Sequence, residues 1–383
     1  MIIATTREDP AIETRVAITP ETAKKFAALG ATVRVQSGAG QPSGFPDKDY
    51  EVAGAMIAKT TKEAQAGADI VLRVRRPTSS KLASMKKGTL VIATMDPYGH
   101  EASLKAMAAA GVSGFAMELL PRITRAQVMD VLSSQANLAG YRAVIDAAGE
   151  YGRALPMMMT AAGTVPAARV FIMGAGVAGL QAVATARRLG AVVTATDVRP
   201  AAKEQVESLG AKFIAVEDEE FRQAETAGGY AKEMSAEYQA KQAELVASHI
   251  AKQDIVVTTA LIPGRPAPLL VSAAMVASMK PGSVIVDLAV ERGGNVEGAK
   301  SGEIVETANS VKIVGYANMP GRLAASSSAL YAKNLYAFVE TMIDKSAKTL
   351  AVKWDDELIK ATLLTKDGAV VHPMFAAKPV TAE

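Results

Sequence analysis

Gly174, Gly176 and Gly179, with Asp197 beyond them, have the types and spacing to bind a dinucleotide. In the pattern Gly-x-Gly-x-x-Gly the first glycine allows a tight turn. The second lets the backbone approach a pyrophosphate, and the third lets a helix pack closely on a strand. The free N–H groups and positive dipole end of that helix attract phosphate. Asp197 lies 18 residues beyond Gly179, close to the roughly 20 at which an acidic residue meets the ribose. A carboxylate there accepts from a 2′-hydroxyl and repels a 2′-phosphate, which favours NAD(H) over NADP(H). Arg199 is the opposing feature, since a nearby arginine accommodates a 2′-phosphate. The bland alternative is a parallel-sheet turn that binds nothing.

A second polar cluster lies well upstream. Between Pro121 and Gln135 the chain carries Arg122, Arg125, Gln127, Asp130 and Ser133. A primary amide such as Gln127 has the donor and acceptor to hold a carboxamide. Arg122 can meet a carboxylate or phosphate bidentately, and Asp130 and Ser133 can hydrogen-bond a nicotinamide. The same residues also describe a capped helix start with local salt bridges. A third segment, Thr258-Thr-Ala-Leu-Ile-Pro-Gly264, follows an apolar run and reads as a loop at the carboxyl end of a strand. Pro281 to Asp287 reads as a turn and strand, with Glu291 beyond.

The elements that must position these residues follow from the apolar pattern. Val170–Met173 predicts a buried strand, Leu180–Leu189 a helix ended by Gly190, and Ala191–Thr196 a second strand reaching Asp197. Upstream, Ile2–Thr5, Thr32–Gln36, Ile70–Val74 and Leu90–Ala93 predict strands. Glu21–Leu29, Lys62–Ala66 and Glu101–Ala110 predict helices between them. Thr19-Pro20 marks an N-cap with proline at the first helical position. A long helix is expected from about Ser134 to Ala154, stopped by Pro156. Strands at Phe213–Val216, Ile255–Thr259, Val284–Leu288 and Ile313–Val314 continue the second α/β region. A helix over Ala324–Met342 follows, then strand-like pieces at Thr349–Val352 and Ala361–Thr365, in a tail expected to return to the first domain. The polar stretch between Val216 and Ile255 contains Gly228-Gly229-Tyr230 and reads either as a functional loop or as a solvated helix pair with a glycine break.

Composition bounds the rest. The chain has 383 residues, a net charge of +3 and 5% aromatic residues. Its length suggests two domains, and its balanced charge gives no nucleic-acid footprint. It has no cysteine, which excludes disulfides and thiol chemistry, and only His100, His249 and His372, so no metal site is expected. The N-terminus lacks the basic and apolar regions of a signal peptide. The charge-free run Val170–Ala186 contains the three spaced glycines and reads as strand plus helix rather than a membrane span. A soluble, cytoplasmic protein is expected.

Several segments together carry a resemblance. They are Met117–Arg125, Gln135–Asp146, Met157–Pro166, Ala195–Arg199, Lys203–Gly210, Glu225–Met234 and Thr258–Gly264. Over almost its whole length the chain resembles the soluble NAD(H)-binding domain I, the alpha-1 subunit, of bacterial proton-translocating NAD(P)+ transhydrogenases, within the superfamily that also contains alanine dehydrogenase. The resemblance implies two Rossmann-like α/β domains with parallel sheets, joined by long helices, with a cleft between them. The first would comprise residues 1–133 plus 318–383. The second, NAD(H)-binding domain would be 134–317, with a mobile loop at about 221–240.

The resemblance further implies that Arg122, Gln127 and Asp130 are the catalytic residues, in a loop that holds the nicotinamide, with Gln127 between two reacting nicotinamides. Ser133, Gly174, Ala175, Gly176, Val177, Gly179, Asp197, Val198, Arg199, Gln242, Ala260 and Leu261 would contact NAD(H), with Gly229 and Tyr230 in the closing loop. Hydride would pass directly from NADH to NADP+ held by the NADP(H)-binding domain of a beta subunit. The chain would act as a homodimer, tied to the inner membrane through membrane-spanning subunits that move protons. Such a step is a proximity task that needs no general acid or base.

The alternative is an alanine dehydrogenase-type amino-acid oxidoreductase. The chain resembles those enzymes at Arg15–Pro20 and in the nucleotide domain. Their catalytic lysine falls at Arg75, which cannot titrate near neutral pH. Their histidine has no counterpart near Thr94–Asp96, leaving only His100 nearby, and their aspartate falls at Glu291.

Overall fold

The computed structural model describes residues 1–223 and 234–376. The chain divides into two compact units, one of Met1–Gln135 with Pro320–Glu383 and one of Ala136–Met319. It crosses between them once inside the 20-residue helix Val131–Glu150. It returns at the short 3₁₀ turn Met319–Leu323.

The first unit is built on β1 (Ile2–Thr5), β2 (Thr32–Gln36), β3 (Met56–Ala58), β4 (Ile70–Arg75), β5 (Leu90–Thr94) and β6 (Ser113–Ala116). These six strands are parallel, in the order β6-β5-β4-β1-β2-β3. The strand order reverses at β1, which lies between β4 and β2. The chain's end returns to this sheet: Leu363–Lys366 pairs antiparallel with β6, and Ala369–Val370 with that strand in turn. The first helix, Pro20–Ala28, begins on Thr19, whose side chain accepts from Thr22 N–H while the Thr22 side chain bonds back to the cap. The core gathers Phe26, Tyr50, Phe115, Tyr331 and Phe338 among aliphatic strand residues, all fully buried.

In the second unit the long helix is followed by a hairpin that the sequence pattern does not predict, β7 (Met158–Thr160) and β8 (Gly163–Val165), whose residues are all exposed. Its sheet comprises β9 (Arg169–Met173), β10 (Val192–Thr196), β11 (Lys212–Phe213), β12 (Ile255–Thr258), β13 (Val284–Asp287), β14 (Ile304–Glu306) and β15 (Lys312–Val314). The order is β11-β10-β9-β12-β13-β15-β14, parallel except at β14. Val170, Phe171 and Ile172 of β9 are fully buried, because a parallel strand covered on both faces must be apolar throughout. The order reverses between β10 and β12, on either side of β9. In such sheets the crevice outside the strands' carboxyl ends is where ligands bind.

Some boundaries differ from the pattern-based expectations. The long helix runs over Val131–Glu150 rather than Ser134–Ala154. The helix after the glycine turn starts at Val177 rather than Leu180, so Gly179 lies in its first turn. Thr349–Leu350 forms a two-stranded ribbon with Ile343–Asp344, and Ala361 and Thr362 end the helix Glu357–Thr362.

Candidate functional site

The site residues read from sequence fall into two sets, one in each unit. In the second unit, β9 ends at Met173 and the chain turns at Gly174, whose φ of +103° lies where side chains are strained. Its N–H donates to Thr196 O at 2.9 Å, which ties the turn to the end of β10. Gly176 is the N-cap of Val177–Arg188 and has no side chain to satisfy the helix's first N–H groups. A Cβ added there would meet nothing within 4 Å, whereas one on Gly179 would stand 1.8 Å from Gly174 O. The last glycine therefore closes the helix onto the strand, and the middle one leaves an open surface beside bare backbone donors. That is the cradle a pyrophosphate requires.

Asp197 follows β10. Its Oδ2 accepts from Ala175 N–H at 2.7 Å and Arg199 Nη2 at 3.0 Å, and its Oδ1 from Arg199 N–H and Nε, both at 2.9 Å. The carboxylate is thereby locked against the glycine turn, and the Arg199 guanidinium lies in a fork on Asp197. Val177 and Val198 are exposed beside this turn. Gln242, on the helix Ala236–Ile250, accepts from Val216 N–H at 2.9 Å and donates to Thr196 Oγ1 at 3.2 Å. It thus braces the ends of β10 and β11.

After β12, Thr259 N–H donates to Met173 O and its hydroxyl to Gly174 O at 3.1 Å. Ala260 and the exposed Leu261 come next. Gly229 and Tyr230 lie outside the described residues.

Sequence reasoning does not find the residue that holds this loop. The fully buried Asn295 accepts from Ala260 N–H at 3.0 Å and donates to Ala260 O at 2.9 Å and Pro268 O at 2.8 Å. Asn295 is in turn fixed by Asp287, the last residue of β13. The Asp287 carboxylate accepts from the N–H groups of Ala289, Asn295 and Val296 and from Thr258 Oγ1. Burial pushes the Asp287 carboxyl upward against these donors. The one signal in the sequence is Gly293-Gly294, both with positive φ, which turns the chain back toward Asp287.

In the first unit, Gln127 lies in the 3₁₀ turn Thr124–Met129. Ala126 and Met129, three residues apart, are buried and fasten the turn to the core, while Gln127 and Val128 are exposed. Arg122 is exposed just before it. Asp130 accepts from Ser133 N–H at 2.9 Å and from the Ser133 hydroxyl, capping the helix Val131–Glu150. Arg125 forks onto Asp356 at 2.7 and 2.8 Å and reaches Glu357 at 3.1 Å. The capped helix start with local ion pairs is therefore present, and it presents Gln127 outward.

A cavity of about 700 Å³ in the same unit is lined by Arg7, Glu8, Glu13 and Arg15 after β1, Gln36 at the end of β2 and Lys81 after β4. Of its lining cations, Arg15 pairs with Glu13 and Lys81 Nζ donates to the Arg7 carbonyl. Glu13 receives Arg15 Nε and Nη2 and Arg75 Nε, each at 2.8 Å, and Glu8 pairs with Arg73. Burial would raise the Glu13 carboxyl, but the bonds and charge of Arg15 and the charge of Arg75 overcome it and hold it at about 2. His100 points Nδ1 at the carbonyls of Asp96 and Tyr98, at 2.9 and 3.1 Å. In the second unit, Glu291 accepts from Asn318 N–H at 2.9 Å.

Residues 4–139 match the family described as alanine dehydrogenase/PNT, N-terminal domain, and residues 143–373 match its C-terminal domain. The chain belongs to the alanine dehydrogenase/PNT family. Within it, this member is 54% identical over 383 residues to the first portion of NAD(P) transhydrogenase subunit alpha from Rhodospirillum rubrum, covering 99% of this chain and 100% of the relative. The solved transhydrogenase structure from Sinorhizobium meliloti superposes with a TM-score of 0.88 at 62% identity, over 97% of this chain and 99% of the other. An L-alanine dehydrogenase structure shares the fold with a TM-score of 0.82 at 24% identity, over 98% of both chains. Among the described residues no helix is long and apolar enough to cross a membrane.

Proposed function

We propose that this chain is the NAD(H)-binding component of a transhydrogenase. The observation that carries the reading is the open, bare N-cap at Gly176 beside the locked Asp197. Both fit a dinucleotide with a free 2′-hydroxyl. Arg199 is forked onto Asp197, so its guanidinium is engaged with that carboxylate instead of being turned toward a 2′-phosphate, which favours NAD(H) over NADP(H).

The bound NADH would supply a hydride to NADP+ held on the NADP(H)-binding domain of a beta subunit. The chain's own residues bind and orient. The Gly174–Gly179 turn offers backbone N–H groups to the phosphates, and Asp197 is placed to accept from the ribose in exchange for one of its Arg199 bonds. Val177, Val198, Ala260 and Leu261 line the nucleotide. Gln127 and Arg122, outward on their anchored turn, are suited to hold the nicotinamide and its neighbour, with Asp130 and Ser133 shaping that turn. No group needs to move a proton, because transfer between two nicotinamides moves none. Proton translocation belongs, in this reading, to membrane-spanning partner subunits, which would bring the chain to the cytoplasmic side of the inner membrane.

A homodimer fits the exposed β7–β8 hairpin. Met157, Met158 and Met159 are solvent-facing in the single chain, and a second copy would cover them. The amino-acid oxidoreductase reading finds little support at Arg75 and Arg15, both committed to Glu13. The deciding assay supplies an NADP+-loaded partner component. Gln127→Asn is expected to slow transfer much more than it weakens NADH binding, and equal losses would contradict its role. Robust NADH oxidation with pyruvate and ammonium would replace the proposal with the alternative.

A further inference from the structure

The helix Ala324–Glu340 is largely apolar where it faces the first unit's core, yet it carries an asparagine at a buried position. Asn334 is 8% exposed. Asparagine is a weak helix former, and burying its amide is costly unless every polar atom is matched. A residue that breaks a local rule in this way is usually retained for something else it does.

Both ends of the Asn334 amide are used, and both reach the segment that carries Gln127. Asn334 Nδ2 donates to Val128 O at 2.8 Å, the carbonyl one residue past Gln127. Asn334 Oδ1 accepts from Ser134 Oγ at 2.7 Å, on the first turn of the next helix and adjacent to Ser133. Ser134 Oγ also accepts from Gln135 Nε2 at 3.2 Å, and Gln135 Oε1 accepts from Arg15 Nη1 at 2.7 Å, so the serine's position is itself braced. One side chain therefore staples the two ends of residues 128–134, with Asp130 and its bonds to Ser133 between them. On the other flank Arg125 is forked onto Asp356 and Glu357. Gln127 stands between these anchors. The Arg125 fork is half-exposed and grips the backbone only through a long side chain two residues before Gln127. Beside the buried Ala126 and Met129, the asparagine supplies the hydrogen bond that fixes the backbone leaving Gln127.

We infer that Asn334 is a positioning residue that fixes the Gln127 turn for reaction. This rests on the proposal that the turn faces the reacting nicotinamide. The nucleotide's phosphates and adenosine are held by the other unit in that proposal, so loosening Asn334 acts on transfer rather than on affinity.

The test uses the full chain with an NADP+-loaded partner component. It compares Asn334→Ala, Asn334→Asp, Ser134→Ala and Gln127→Asn by transfer rate at saturating NADH and by NADH affinity. Asn334→Asp keeps the acceptor for Ser134 but sets an oxygen against Val128 O, whereas Ser134→Ala keeps the bond to Val128. A misplacement on the order of 1 Å costs up to about a hundredfold in rate. Both Asn334 variants are therefore expected to transfer at least about tenfold more slowly per folded molecule, with NADH affinity within about twofold of the parent. Ser134→Ala should lose less than about threefold.

Unchanged transfer in the Asn334 variants, or affinity falling in step with rate, overturns the inference. If Asn334→Ala does not fold, Asn334→Asp against Ser134→Ala carries the comparison, and equal rates there overturn it. If Gln127→Asn itself leaves transfer untouched, it is the reading of the turn that fails. If Gln127→Asn slows transfer and the Asn334 variants do not, only the positioning role is lost.

Discussion

Two alanine substitutions in one turn should separate binding from folding. At Gly176 a methyl group would meet no protein atom within 4 Å. Its backbone, at φ −76° and ψ −166°, is open to any residue. Alanine is a poorer N-cap than glycine by about 0.5 kcal/mol, while the stiffer unfolded chain returns about 0.4–1 kcal/mol. The net change in stability is therefore about zero, and the melting temperature should hold within about 2 °C. The methyl would, however, occupy the surface where a pyrophosphate approaches. NADH affinity should fall at least about tenfold, or about 1.4 kcal/mol. At Gly179 the added Cβ would lie 1.8 Å from Gly174 O and 2.8 Å from Gly174 C. Ordinary contacts are about 3.5–4 Å, so helix and strand must part by well over 1 Å. That overpacking costs about 1–3 kcal/mol, a drop of several degrees, with loss of binding as well. Calorimetry and NADH fluorescence titration read the two quantities separately. Tight NADH binding by Gly176→Ala would refute the assignment of that surface to the nucleotide.

Asn295→Ala removes three hydrogen bonds and leaves Ala260 and Pro268 backbone groups unmatched. It should cost about 2–4 kcal/mol in urea unfolding and also weaken NADH binding. A loss below about 1 kcal/mol would show that the loop does not depend on it. Glu13 makes an acid-sensitive contribution to the first unit. Its carboxyl is held at about 2, below the ordinary 4.5. The stabilisation, on the order of 3 kcal/mol, is therefore complete above about pH 4.5 and fades as pH falls toward 2. The stability gap between parent and Glu13→Gln should shrink over that window in urea melts, and a gap independent of pH would contradict the ion-pair account.

What can be read from the sequence is what depends on neighbours along the chain. The Gly174–Gly179 spacing, the apolar run of β9 and the Thr19-Pro20 cap are local patterns, and each appears in the fold at or near its expected position. The helix after the turn starts three residues before the expected point, because Gly179 resembles a helix boundary. Its absent side chain is instead what lets the first turn close on Gly174. The C-terminal tail is expected to return to the first domain, and Leu363–Lys366 pairs with β6. Asn295 and Asn334 are not legible. Their partners lie at Ala260 and Val128, far away in sequence, and a hydrogen bond across that distance leaves no periodic trace. The β7–β8 hairpin is equally silent, since an exposed strand pair shows no inward-facing alternation.

Direct transfer between two nicotinamides is the central claim, and isotope tracing tests it. The chain would be mixed with NADH carrying deuterium at the transferable C4 position and with a partner component loaded with NADP+. The account predicts that the deuterium appears at C4 of the NADPH formed, with none lost to solvent, and that Gln127→Asn slows its appearance. Deuterium released to water, or no transfer to NADP+ while NADH still binds, would contradict it.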